Sequence, residues 1–259
     1  MEAVVVSHNS AADLEGLLEC ESLRQAFTRL ILVDNASTDG SPEMAERAGV
    51  EVVRQAGNSG FAAAVNEGVS RTSDSLVAVL NPDIRFEADG VAERLAEHFV
   101  KPHVGLVAPA LVLPDGTLQD SAREVPTPLD LLLRRWRRKD HGSVSPAIAS
   151  DVPWVVGACI VLRRSAFDEV GGFDRRFLLY FEDVDLCVRL RDRGWNVLID
   201  PAITVSHYHR AASRRSLFGW STRQHIRSAM RFYRTHPQYL LSRSPRTKSP
   251  SQDALTGEV

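Results

Sequence analysis

Leu30-Ile31-Leu32-Val33-Asp34-Asn35-Ala36-Ser37-Thr38-Asp39-Gly40-Ser41 is the stretch on which the fold turns. Four apolar residues, too few for a helix, end abruptly in a polar string rich in turn formers, the pattern of a buried strand running into a loop. The same syntax recurs upstream, where Ala3-Val4-Val5-Val6 runs into Ser7-His8-Asn9, and downstream, where Leu76-Val77-Ala78-Val79-Leu80 runs into Asn81-Pro82-Asp83. Residues 50–53 make a fourth run, and residues 10–20, 41–48, 60–70 and 89–99 between them carry helical patterning. An α/β chain alternating in this way builds a mostly parallel central sheet with helices on both faces. Its ligands bind in the crevice beyond the carboxyl ends of the strands. Polar residues just after each strand are therefore the first candidates for function.

Beyond residue 100 the alternation loosens. Residues 104–111 read as a strand, Pro114-Asp115-Gly116-Thr117 as a turn, and 129–139 as a short helix ending in the basic string 134–139. The Ser-, Pro- and Ala-rich residues 140–151 are expected to form a mobile loop. Strand character returns at 154–162, followed by a helix at 165–170, the turn Gly171-Gly172, an acid-dense helix at 182–191, and strands at 195–199 and 202–205. The reading divides the chain into a main domain over 1–215, a basic helical segment over 216–241, and a disordered tail over 242–259.

Composition narrows the class. With 259 residues, 44% hydrophobic and 25% charged, the chain suits one large globular domain with an appendage. Cys20, Cys159 and Cys187 share no zinc-binding or redox spacing, and an odd number does not build a disulfide framework, so a reducing cytoplasm is the expected compartment. No run approaches the roughly 18 apolar residues that span a bilayer. The net charge of −2 hides an asymmetry: residues 201–252 hold ten Arg or Lys and no acid. A basic C-terminal fifth suggests an anionic partner such as a membrane surface.

Several polar groups at strand ends could carry chemistry. Asp34, Asn35 and the Ser7-His8-Asn9 string can accept from a nucleobase or ribose, or Asp34 and Asp39 can cap the following helix. Asn58, Gly60 and Phe61 open a helix that carries Asn66. Gly57 and Gly60 do not amount to a dinucleotide fingerprint, and no Walker lysine motif occurs, which disfavours NAD and ATP. Asn81-Pro82-Asp83 puts a carboxylate at a strand tip, where it is either a turn residue or a single ligand to Mg²⁺ or Mn²⁺ at a nucleotide diphosphate. Glu182, Asp183 and Asp185 crowd the start of a helix directly after Tyr180-Phe181. Acids there either complement the helix dipole or face a pocket.

These segments together are recognisable. The strings VVVSHNS, LILVDNASTDGS, NSGFAAAVNEGV, VLNPDI, LPDGTLQDSAREVPTP, VGACIVLRRSAFDEVGGFDRRFLLYFEDVDLCVRLRDRGW and VSHYHRAAS occur in order. In them the chain resembles the family 2 glycosyltransferases, within them the bacterial rhamnosyltransferase-like enzymes, over nearly all of residues 3–215. The resemblance implies a GT-A nucleotide-binding fold and inverting displacement at an anomeric carbon. It implies that Asp34 and the Ser7–Asn9 strand end contact the nucleoside, that Asp83 holds a divalent metal, and that Asn81 stands at the first position of the D-x-D motif. Asp183 would be the catalytic base, with Glu182 orienting acceptor or base. Trp154, Gly157, Tyr180 and Asp185 fall on the acceptor side. His207 or His209 would add a metal ligand.

The implied donor is a dTDP- or UDP-sugar, L-rhamnose from dTDP-L-rhamnose first and a UDP-hexose second. The acceptor is a cell-envelope glycan or a polyprenyl-linked saccharide. In the basic segment, Arg223, Arg227, Arg231 and Arg234 form one helical stripe, while Leu217, Trp220, Ile226, Met230 and Tyr233 form an apolar one. Such a helix either lies in an anionic headgroup region or packs on the main domain with its cations solvated. A nucleic-acid partner fits poorly, because residues 1–200 carry 31 acids against 21 bases. A homodimer is also compatible with the sequence.

Overall fold

The first strands start within one residue of their expected positions: β1 (Glu2–Ser7), β2 (Arg29–Asp34), β3 (Glu51–Arg54) and β4 (Leu76–Leu80). The structure is a computed structural model that describes residues 1–136, 144, 146–208 and 220–242, the side chains of 134–136 apart. Residues 137–139 of the basic string, 140–143 and 145 of the loop, His209, the start of the basic segment and the tail from 243 onward lie outside the described residues.

Helices α1 (Ala11–Glu19), α2 (Glu21–Gln25), α3 (Ser41–Arg47) and α4 (Phe61–Ser70) connect these strands. Then follow β5 (Ile84–Arg85), α5 (Val91–Glu97), β6 (Val104–Val112), β7 (Ala122–Arg123), α6 (Pro128–Trp136), β8 (Ser150–Asp151), β9 (Trp154–Val155) and β10 (Cys159–Arg163). The chain continues through α7 (Arg164–Glu169), α8 (Glu182–Asp192), β11 (Asn196–His207) and α9 (Trp220–Thr235). Among the described residues the main sheet runs β3-β2-β1-β4-β10-β6-β11-β5, with β8 alongside β11. β1 pairs in parallel with β2 and β4, and β6 with β11, whereas β10, β5 and β8 run against their neighbours. β7 and β9 form a separate ribbon.

All six residues of β1 are buried, so the strand is apolar on both faces rather than alternating. Its side chains divide by period two. Val4 and Val6 join one core cluster with Ala64 and Val65 of α4, and Ala3 and Val5 join the other with Leu14 and Leu17 of α1. Helix α4 lies so close to β1 that a Cβ on Gly68 would sit 2.3 Å from Val4 Cγ1.

Three differences from the sequence reading have local causes. The run 154–162 is broken, because residues 156–158 turn from β9 into β10. The runs 195–199 and 202–205 merge into β11, with a register shift between Asp200 and Thr204 where Pro201 withholds a ladder donor. The two-residue strands β5, β7 and β8 were not expected, since two residues carry no readable period.

The C-terminal helix α9 packs on the main body, and of its apolar stripe only Tyr233 joins that packing among the described residues. Gln224, Ser228, Ala229 and Phe232 are buried, while Trp220, Ile226 and Met230 are about half exposed. Phe232 is fully enclosed, with ring centroids 5.4 Å from Phe181 and 5.8 Å from Tyr239. Burying one such ring contributes about 1.5–3 kcal/mol.

Candidate functional site

At the carboxyl ends of β1, β2 and β4 lies a cavity of about 400 Å³, bounded by His8, Asn35, Asn58, Gly60, Phe61, Asn81 and Asp83 and closed by Leu178, Leu179 and Trp220. This is where a parallel α/β sheet receives a ligand. Hydrogen bonds set its rim. His8 Nδ1 lies 2.8 Å from the Asn35 carbonyl, and Asn9 Oδ1 accepts from the Thr38 amide at 2.8 Å. Asn35 Oδ1 accepts from the Ser59 amide at 2.8 Å, and Asn58 Oδ1 from the Gly60 amide at 3.0 Å. Asp34 is buried; one oxygen accepts from the Ser37 amide, and Oδ1 has no partner among the described residues. Asp39 instead accepts from the Ala11 and Ser41 amides, which accounts for it as a cap.

Gly60 has φ +85°, and a Cβ there would meet the Leu178 carbonyl oxygen at 2.6 Å. Its freedom lets the start of α4 reach the 178 loop, where the Phe61 amide donates to Leu178.

β5 brings the expected metal ligands together. His207 pairs with Ile84 across β11 and β5, and the Tyr208 amide donates to the Asp83 carbonyl at 2.9 Å. His207 Nε2 then stands 3.3 Å from Asp83 Oδ2, with His207 buried. On the other side of the ring, His207 Nδ1 lies 2.7 Å from Gln119 Oε1. A Gln carbonyl accepting from Nδ1–H leaves Nε2 as an acceptor, the tautomer a metal requires. Gln119, not singled out from the sequence, is carried there by the hairpin after β6, where its amide donates to the Leu111 carbonyl. Asp83 Oδ1 is buried without a hydrogen-bond partner among the described residues. One imidazole and one carboxylate with an unpartnered oxygen fit a divalent ion that takes its remaining ligands from phosphate and water.

The acids of α8 occupy unlike settings. Tyr180 and Phe181 both have φ +67°, a left-handed pair that turns the chain straight into the helix; such residues cost of order 1–3 kcal/mol each and concentrate at functional sites. Asp183 Oδ2 accepts from the Gly157 amide at 3.2 Å and Oδ1 from its neighbour Val184 at 2.8 Å, which orients the carboxylate. Two residues before β10, Gly157 also sits where a Cβ would approach Asp183 Cβ to 3.3 Å. Burial raises the Asp183 carboxyl, opposed by the Gly157 and Val184 amides and by the positive charge of Arg123. Glu182 is buried, and burial together with the Asp183 charge pushes it up to about 8. Burial thus lifts both carboxyls, and the Asp183 charge adds to the push on Glu182.

Backbone contacts join these acids to the cavity. The Asn81 amide donates to the Ala158 carbonyl at 2.8 Å, and the next residue back, Gly157, donates to Asp183. One turn of chain therefore touches both the Asn81–Asp83 tip and Asp183 at the start of α8. The β7–β9 ribbon stands nearby, with Trp154 buried, its indole N–H donating to the Glu124 carbonyl, and Arg123 stacked 5.7 Å over its ring. Tyr180 reaches α9 through a 2.7 Å hydrogen bond to Ser221.

Three expected site residues are placed elsewhere. Ser7 is wholly enclosed, so no ligand reaches it in this structure. Asn66 grips the Phe173 backbone, donating to its carbonyl at 2.7 Å and accepting from its amide at 2.9 Å, and so holds the Gly171–Gly172 turn rather than a donor. Asp185 is fully buried and does not face an acceptor. It accepts from Arg189 Nε at 2.7 Å and lies 2.8 Å from His236 Nε2, which ties α8 to the end of α9.

Comparison with known proteins gives the family and the fold. Residues 2–171 match the model of the Glycosyl transferase family 2. The chain is 31% identical over 238 residues to the N-acetylglucosaminyl-diphospho-decaprenol L-rhamnosyltransferase of Mycobacterium tuberculosis, covering 82% of this chain and 77% of that one. It is 27% identical to the rhamnosyltransferase WbbL of Escherichia coli, over 88% of this chain and 90% of the relative. Its fold resembles the crystal structure of GalNAc-T7 with UDP, GalNAc and Mn²⁺ at a TM-score of 0.65 and 16% identity; the match covers 94% of this chain and 52% of that one.

Proposed function

Because this chain belongs to glycosyl transferase family 2, we propose that it moves L-rhamnose from dTDP-L-rhamnose, with inversion, to a hydroxyl of a cell-envelope glycan or lipid-linked acceptor. The observation that supports the reaction is the shared turn at which Asn81 meets Ala158 and Gly157 meets Asp183, because it ties the Asp183 carboxylate to the crevice at the strand tips. The choice of sugar rests on likeness to rhamnosyltransferases over most of the chain.

In the proposed step the acceptor oxygen bonds to the anomeric carbon as the bond from that carbon to the diphosphate oxygen breaks, the diphosphate leaving with the electron pair. The acceptor proton passes to Asp183. A free aspartate sits near about 3.9, far below a sugar hydroxyl, so the transfer is late and is helped by the upward push that burial gives Asp183. Glu182, holding its own proton, adds no second negative charge beside the base. Asp83 and His207, turned by Gln119, would hold a divalent cation, Mg²⁺ or Mn²⁺. When bound, such an ion neutralises charge on the departing diphosphate. His8, Asn35 and Asp34 line or back the nucleoside end.

Asp183→Asn tests the reading. The amide keeps the shape but takes no proton, so transfer should fall by about 10²–10⁴-fold while calorimetry finds dTDP affinity in Mg²⁺ or Mn²⁺ unchanged. Wild-type turnover in that variant refutes the base. Stronger thermal stabilisation by UDP-hexoses than by dTDP-rhamnose would replace the donor with a UDP-hexose.

A further inference from the structure

Between the 176–178 loop and α9 lies a second cavity, of about 260 Å³, lined by Arg176, Leu178, Gln224, Arg227, Ser228 and Arg231. We propose that it binds the phosphate of an anionic lipid headgroup and so docks the outer face of α9 on the membrane surface.

The charge around it is unusual for this molecule. Arg29, Arg54, Arg71, Arg189 and Arg191 each face a carboxylate. Along α9, Arg223, Arg227, Arg231 and Arg234 form no ion pair among the described residues, and residues 201–252 contain no acid that could supply one. Of the cavity's three arginines only Arg176 is matched, by Asp174 at 2.6 Å, so the cavity carries net positive charge. Arg231 donates to the Arg176 carbonyl, which draws the two arginines to one wall. Gln224, only 9% exposed, adds a buried amide, and the Ser228 hydroxyl is engaged with the Leu179 carbonyl. Guanidinium forks facing a common space match the oxygens of a phosphate.

The neighbouring surface selects a lipid as the source of that phosphate. Ile226 and Met230, one helical turn apart and each next to an arginine of the cavity, are 54% and 50% exposed. Phe232 and Ala229 already anchor the opposite face, so these two are not needed for folding α9 onto the body. Cations beside exposed apolar side chains on one helix face suit a headgroup layer above acyl chains. The inference deepens the reading of a lipid-linked acceptor.

The test is co-sedimentation of the full chain with phosphatidylcholine vesicles with and without phosphatidylglycerol, alongside dTDP affinity by calorimetry. Wild type should sediment only with the anionic vesicles. Arg227→Gln/Arg231→Gln should bind them about thirty-fold more weakly, at about 1 kcal/mol per arginine near an anionic surface, and Ile226→Ser/Met230→Ser should also weaken binding. Both should melt as wild type does. Equal retention of the arginine variant overturns the proposal, as does retention of inorganic phosphate or a single-stranded oligonucleotide without retention of vesicles. Loss of dTDP binding in wild type would instead strike the donor assignment and leave the vesicle result standing.

Discussion

Replacing Glu182 with Gln should stabilise the protein at alkaline pH and leave it nearly unchanged at acid pH. The carboxyl is buried, Oε2 has no hydrogen-bond partner among the described residues, and burial with the neighbouring Asp183 charge lifts it from 4.5 to about 8. A carboxyl that binds its proton more tightly folded than unfolded opposes folding as pH rises between those two values, because the unfolded chain ionises first. At about 1.4 kcal/mol per tenfold change in proton affinity, wild type should lose about 3–4 kcal/mol from this group between pH 5 and pH 8. Glutamine has no proton to lose and keeps the shape. The gap in melting temperature between variant and wild type should therefore widen by roughly 5–15 °C over that range, at about 2–4 °C per kcal/mol for a chain of this size. Thermal denaturation followed by circular dichroism at pH 5, 6, 7 and 8 measures it, and taking the difference cancels the titrating groups that do not interact with Glu182. Two melting curves that stay parallel across the series would show that Glu182 ionises freely, and its role as a neutral neighbour of Asp183 would fall with it.

Asp83→Ala should remove the metal-dependent part of dTDP affinity, read by titration calorimetry with and without Mn²⁺; unchanged affinity excludes it as a ligand. Gln119→Leu leaves both ligands in place but releases the His207 ring, so Mn²⁺ affinity, followed by the metal's paramagnetic resonance signal, should fall about 10–100-fold. His236→Ala withdraws one partner from the fully buried Asp185 carboxylate and should cost about 1.5–3 kcal/mol in urea denaturation.

Much of the site was legible because its framework is local. A strand buried on both faces leaves an apolar run such as Leu30–Val33 or Leu76–Leu80, and its polar terminus marks the crevice directly, so His8, Asn35, Asn58 and Asp83 follow from the chain itself. The acids after Tyr180-Phe181 were equally visible, and the helix they begin is where the sequence places it. Asn66 and Asp185 were assigned to ligands because polar residues near a site motif look alike on paper. Each is instead consumed by partners 107 and 51 positions away, Phe173 and His236.

By itself, then, the sequence determined the order of the longer strands and helices, the strand tips at the crevice and the acid-rich start of α8, all properties of periods and turn chemistry within about a dozen residues. Tertiary structure alone decided that Asp83 and His207 meet, since the pairing of β5 with β11 joins residues 124 positions apart through a strand too short to announce itself. It alone supplied Gln119, and it alone turned α9 so that Phe232 is buried while Ile226 and Met230 are not. The physical reason is common to all three: whether a side chain is satisfied, buried or left outside depends on neighbours brought by distant pairing, and a residue's own sequence surroundings do not contain them.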